Sequence, residues 1–181
     1  DIKITDQRVV VRDYGRGIPL GKVVDVVSKI NTGAKYDSGA FQKSVGLNGV
    51  GTKAVNALSN YFKVQAYREG QTKLAEFKKG ILVTDPKVSK SDERNGTLVE
   101  FEPDNSMFKH YHFIPEYLED LMWNYAFLNA GLTINYNGKK YYSKDGLLDL
   151  LKQKADAEEL RYPIIHFKGD DIEVALTHGN Q

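Results

Sequence analysis

The sequence predicts an α+β fold: a two-layer sandwich in which a mixed, mostly antiparallel β-sheet carries helices on one face. Three observations lead there. Residues 61–103 read as consecutive strands with no helix between them. Asn137-Gly138, set between two short strand patterns, is a strong hairpin signal. Helical periodicity is confined to a few separate stretches. Grouped strands with few helices differ from the regular strand–helix alternation of a doubly wound sheet.

Taken in order, Ile2-Lys3-Ile4 and Val9-Val10-Val11 form two short strands that turn at Asp6-Gln7. Asp13 to Pro19 is a glycine-rich loop. Apolar residues at 23, 24, 26, 27 and 30 give Val23 to Ile30 one buried helical face. Asn31 to Ser44 is polar, glycine-bearing and aperiodic, a long loop. Gly46 to Gly51 is a second glycine-rich turn leading into a helix over Thr52 to Leu58. The residues 62–67 alternate as a strand, Arg68-Glu69-Gly70 turns the chain, and Leu74 to Lys78, Gly80 to Val83 and Thr97 to Phe101 follow as strands. Pro115 to Asn129 is the clearest helix, with Leu118, Leu121, Met122, Tyr125 and Leu128 on one stripe. Strands at 132–136 and 140–142 flank the Asn137-Gly138 turn. A helix over Gly146 to Lys154 and a strand over Ile172 to Leu176 complete the chain. Neither an internal repeat nor a low-complexity tract is present.

With 181 residues, 41% of them hydrophobic, the chain is sized for one domain, or one domain with a small appendage, and is read as a single domain over 1–181 with a substantial core; disorder is disfavoured. The formal net charge of +1 is too small for a segment that grips DNA over a large surface. The absence of cysteine excludes disulfides and thiolate metal sites. No apolar run approaches a membrane span and no signal-peptide pattern opens the chain, so a cytoplasmic location is expected by default. The chain opens without Met inside a strand pattern and is expected to be part of something longer. His110 and His112 stand at metal-like spacing around Tyr111, but no third ligand candidate lies nearby in sequence, which favours structural or solvated histidines. The aromatic residues at 108, 111, 113 and 117 are expected to pack.

Three segments carry chemistry. In Arg12-Asp13-Tyr14-Gly15-Arg16-Gly17-Ile18-Pro19, an acidic residue at a strand end precedes two glycines. That arrangement sets an acceptor-only carboxylate beside backbone able to approach a ligand closely, and such a group suits the exocyclic amine of a purine. Alone, the pattern is equally a tight turn with an Asx-type bond. In Gly46-Leu47-Asn48-Gly49-Val50-Gly51, three glycines before a helix leave backbone N–H groups able to face a phosphate. This segment fits neither the G-x-G-x-x-G fingerprint nor the Walker loop, since Thr52-Lys53 reverses the latter's Lys-Ser/Thr order. A plain glycine-rich turn is the alternative. Asn95-Gly96-Thr97, entering a strand, offers one hydroxyl that can donate and accept, or simply a strand-end Thr.

In this order and spacing, together with Asn31-Thr32-Gly33-Ala34-Lys35-Tyr36 and the wording VGLNGVGTKAVNALS over residues 45–59, the segments resemble the GHKL ATPase superfamily with its Bergerat fold. Within it, the resemblance is closest to bacterial type IIA DNA topoisomerase B subunits, those of gyrase and topoisomerase IV. Phe127-Leu128-Asn129-Ala130-Gly131 and Glu173-Val174-Ala175-Leu176 extend the likeness almost to the C-terminus. The Leu-Asn-Gly-Val-Gly form and the short link from Pro19 to Val26 lean toward topoisomerase IV.

The resemblance implies that ATP is bound with Mg2+. Asp13 would accept from the adenine amino group while partly buried, and Thr97 would support the same edge through a shared water. Gly17, Ile18, Pro19, Val26 and Val99 would form the pocket around the base. Gly33 and Lys35 would belong to a lid, with Lys35 either a phosphate contact or a solvated lysine. Gly46, Leu47, Asn48, Gly49, Val50 and Gly51 would wrap the phosphates. Arg16 and Arg68 would stand at a pocket rim used by inhibitors, which would make the site an antibiotic target; an exposed turn residue is the plainer reading of Arg68. The general base, a Glu, and the magnesium ligand, an Asn, are implied on a helix ahead of Asp1, and a further Lys after Gln181. This segment alone is therefore expected to hydrolyse ATP negligibly. In the parent protein, ATP would drive DNA strand passage, with a DNA-cleaving A subunit, a second B subunit and duplex DNA as partners; the segment itself is expected to be monomeric. Other GHKL proteins (mismatch-repair, Hsp90-type or kinase) and a non-catalytic interaction module are the alternatives.

Overall fold

The computed structural model of the chain describes residues 1–29, 50–155 and 160–179, and the chain divides into two compact units, Asp1–Phe113 and Ile114–Gln181. The first unit opens with strands β1 (Ile2–Thr5) and β2 (Arg8–Arg12), which turn at Asp6 with φ 53°. A 3-10 turn over Leu20–Lys22 leads into helix α1 (Val23–Ser28). Helix α2 (Gly51–Ala57) runs into β3 (Ser59–Arg68), followed by β4 (Gln71–Lys78), β5 (Ile81–Leu82), β6 (Val88–Lys90) and β7 (Gly96–Pro103).

The expected α+β architecture is present. The strands lie in the order β5-β4-β3-β7-β2-β1, with β6 also pairing β4, and the pairs within this unit are antiparallel. Period-2 alternation sorts the sheet into two faces. Phe62, Val64 and Ala66 of β3 point to the helix side, where Phe62 pairs with Phe77 and Phe101, and Val64 with Ala75 and Val99. Val23 and Val27 of α1 close over them, and Ile18, Leu20, Val26 and Val55 pack at the margin of this core. Phe62 and Phe77 meet edge to face at 6.1 Å. The opposite face is ionic: Lys63 and Arg8 flank Glu100 at 2.7 and 3.3 Å, and the Tyr61 hydroxyl donates to Glu76 at 3.0 Å. Burial and that carboxylate push the Tyr61 phenol up to about 12.

The second unit contains helix α3 (Pro115–Leu128), the hairpin of β8 (Thr133–Tyr136) and β9 (Lys139–Tyr142), helix α4 (Leu147–Lys154), and the antiparallel pair β10 (Ile165–Lys168) and β11 (Glu173–Leu176). Asn137 and Gly138, with φ 46° and 85°, make the turn their sequence demands. Trp123 stacks on Phe127 at 5.4 Å and meets Tyr141 edge-on at 5.2 Å, around the buried Met122, Ala126 and Ile134. Among the described residues, no helix is long and apolar enough to cross a membrane.

Three expectations need correction. The buried face of α3 is Met122, Ala126 and Phe127, whereas Leu121, Tyr125 and Leu128 are exposed. The stripe read from sequence is therefore out of phase by about one residue, because the bulky aromatics at 123 and 127 set the contact face. β4 starts at Gln71, ahead of the expected Leu74, because Gln71, Thr72 and Lys73 pair with β6. β6 and β10 were not expected as strands: β6 is fully exposed, and Ile165 and Phe167 of β10 are also exposed, so neither follows a burial pattern that would mark it.

Candidate functional site

Two of the three chemistry-bearing segments, those of Asp13 and Thr97, meet at one end of the first sheet because β2 and β7 are neighbours. Register pairing of Arg12 with Leu98 places Asp13, just past the end of β2, beside Thr97. The two residues brace each other. The Asp13 N–H donates to the Thr97 carbonyl at 2.9 Å, and the Thr97 N–H donates to Asp13 Oδ1 at 3.2 Å. Gly15 N–H donates to the same Oδ1 at 2.9 Å, which is the Asx-type bond that the sequence allows. The turn and the site are thus one structure. Oδ2 of Asp13 and the Thr97 hydroxyl accept or donate no hydrogen bond among the described residues. Asp13 is exposed, not partly buried as expected, because it sits beyond the last sheet pair.

Glycine is required here for the chain's own backbone. At Gly17, φ is 75° and a Cβ would lie 2.5 Å from the Tyr67 carbonyl oxygen and 3.0 Å from that of Gly96. At Gly96, φ is 141° and a Cβ would fall well inside 3.0 Å of the Asp13 carbonyl oxygen and of Arg12 Nη1. The close approach expected toward a ligand is, at these two positions, an approach of strand to loop.

Ile18, Val26 and Val99 are partly buried against the core of Val23, Val27, Phe62 and Val64, while Pro19 is exposed. Val50 and Gly51 are exposed at the start of α2, which has no side-chain cap. Asn56 Nδ2 donates to the Val27 carbonyl at 2.9 Å, tying α2 to α1. Lys53 is buried, and desolvation pushes its ammonium down. Arg16 is exposed, and Arg68 ends β3 with its Nε 3.3 Å from the Glu69 carboxylate. Gly33, Lys35, Gly46, Leu47, Asn48 and Gly49 lie outside the described residues.

Elsewhere in this unit, a cavity of about 310 Å³ between α2 and β7 is lined by Ala54, Val55, Leu58, Phe101, Phe108 and Tyr111, and includes neither Asp13 nor Thr97. Phe108, Tyr111 and Phe113 pack ring against ring, and His112 Nδ1 lies 3.4 Å from the His110 carbonyl oxygen. Tyr117 is exposed. Among the described residues, no group of three His, Cys, Asp or Glu is placed to hold a metal ion.

No family model matches the chain. It is 48% identical over 179 residues to the B subunit of DNA topoisomerase 4 from Borreliella burgdorferi, covering 99% of this chain and 30% of that protein. It is 34% identical over 204 residues to a DNA gyrase B protein of Helicobacter pylori, covering 99% of this chain and 26% of that protein. Among solved structures, the 43K ATPase domain of Thermus thermophilus gyrase B, determined in complex with an aminocoumarin, superposes with a TM-score of 0.74 at 26% identity, over 96% of this chain and 49% of that one. The chain thus spans under a third of these curated relatives. It is homologous to the B subunits of topoisomerase IV and gyrase, and it has the fold of the gyrase B ATPase domain.

Proposed function

We propose that this homologue of the topoisomerase B subunits is their ATP-binding domain, a single domain over residues 1–181. One observation carries the reading: Asp13, braced backbone to backbone against Thr97, holds Oδ1 in two backbone hydrogen bonds and keeps Oδ2 without a partner among the described residues. A fixed acceptor fits the amino edge of adenine and rejects guanine, which presents a carbonyl there. Ile18, Pro19, Val26 and Val99 would flank the base, with Gly17 shaping the loop beneath it. Leu47 to Gly51 with Gly46 would meet the phosphates, and Gly33 and Lys35 would cover them. Arg16 and Arg68 would stand at the rim.

ATP supplies the phosphoanhydride whose hydrolysis powers the parent enzyme. The described residues would bind and orient the base, and among them no group of three His, Cys, Asp or Glu is placed to hold a metal ion. In the parent protein we infer that binding and hydrolysis of ATP drive strand passage, with an A subunit, a second B subunit and duplex DNA as partners, in the cytoplasm. Kinship to two topoisomerase B subunits favours this over other GHKL proteins or an interaction module.

Calorimetric titration of the chain with ATP and GTP tests the reading. ATP should bind in preference, and Asp13→Asn should weaken it about 30- to 150-fold, the equivalent of about 2–3 kcal/mol for a charge-assisted hydrogen bond. Equal binding of the two nucleotides, or an Asp13→Asn variant that binds ATP like the wild type, would refute it.

A further inference from the structure

Resting on the adenine reading above, we propose that Arg12 is a positioning residue for purine discrimination. Arg12 is the last residue of β2, paired with Leu98 of β7, and its side chain reaches toward the start of that neighbouring strand. It passes Gly96, where a Cβ would overlap Arg12 Nη1. Beyond Gly96 the guanidinium lies between two rings, its Cζ 4.7 Å from the Tyr14 centroid and 4.4 Å from that of Tyr67. Arg94 stacks on Tyr14 as well, at 5.0 Å. Nη1 donates to the carbonyl of Asp13 and Nη2 to that of Arg94.

One side chain therefore clips together three strands and two loops. It holds the backbone of Asp13 and, through Arg94, the turn that delivers Gly96 and Thr97. Tyr14 is fixed in turn by its hydroxyl, which donates to the Asp1 carboxylate at 2.6 Å, and Glu69 N–H donates to Asn95 Oδ1 at 2.9 Å on the far side of the turn. An acceptor-only carboxylate tells an amino group from a carbonyl only where Oδ2 is held against the purine edge, so the clip sets specificity by fixing Asp13 without touching the nucleotide. The role requires a planar fork: two divergent donors in one plane, stacked between rings. A lysine supplies the charge and not the geometry.

The test is the ratio of ATP to GTP affinity in wild-type, Arg12→Ala and Arg12→Lys chains, each with its melting temperature. Both variants should lower ATP affinity about tenfold with little change for GTP, so that the ratio narrows by about the same factor. A residue that merely stabilised the fold would lower the melting temperature and weaken both nucleotides together. An unchanged ratio in Arg12→Ala overturns the proposal, as does a ratio fully restored in Arg12→Lys, which also serves if the alanine variant fails to fold. A wild-type chain without adenine preference would instead end the reading on which the proposal rests.

Discussion

Replacing Gly96 with alanine isolates the contact on which the site is built. Two costs arise. The backbone φ of 141° is one that L side chains rarely adopt, worth about 1–3 kcal/mol. The new methyl would also fall inside 3.0 Å of the Asp13 carbonyl oxygen and of Arg12 Nη1, a separation real Cβ atoms essentially never show. One of those neighbours is backbone, so β2 and β7 must part, adding about 1–3 kcal/mol as an overpacked contact does. Gly70→Ala is the control, since its φ is +74° but nothing lies within 4 Å of the added atom. That variant should show conformational strain alone, about 1–2 kcal/mol. For a chain of this length, differential scanning calorimetry should give a loss of about 10 °C for Gly96→Ala against about 4 °C for Gly70→Ala. ATP titration should show binding weakened in the first and retained in the second. Equal losses of stability in the two variants, or wild-type ATP affinity in Gly96→Ala, would mean that the clash adds nothing to the strain and that β2 and β7 need not touch at this point.

Two further outcomes follow from the first unit. Phe62→Ala, at a fully buried side chain packed edge-on against Phe77, should lower unfolding free energy by about 3–5 kcal/mol in urea; a loss under about 1 kcal/mol would show that the two-faced sheet lacks the core described. Asp104 is held by Lys79 at 2.7 Å and by hydrogen bonds from Ser106, which bring its carboxyl down from 3.8 to about 2. Since the folded value is the lower one, this contribution is complete above about pH 4 and disappears as pH falls toward 2. Asp104→Asn should flatten the melting temperature against pH over that window, and an unaltered acid profile would contradict the assignment.

Much of this was legible in the residues, and for identifiable reasons. Alternation at 62–67, the Asn137-Gly138 turn and the Gly-rich loop from Asp13 each reflect a local rule with little competition, and each element stands where expected. The phase of α3 was not legible, because apolar residues occupy every side of that helix and only its neighbours decide which are covered. The strands β6 and β10 pair without burying, so hydrophobicity could not reveal them. At the site, the identity of Asp13 and Thr97 could be read, but the role of Arg12 could not. Its signal was the coincidence of an Arg, two tyrosines and a glycine that only the β2–β7–β3 register brings together.

The neighbour relation of β2 and β7 also governs when the site comes into being. Asp13 and Thr97 are 84 positions apart, and the strand that joins them is laid between two others whose own turns close locally. Closing so large a loop is entropically expensive and belongs to the slow, non-local part of folding. A chain lacking β7 would own the Asp13 carboxylate without Thr97 to brace it, and a ligand of the pair would stabilise only the finished sheet. Occupancy of the pair by a ligand would then report that β7 has been put in place.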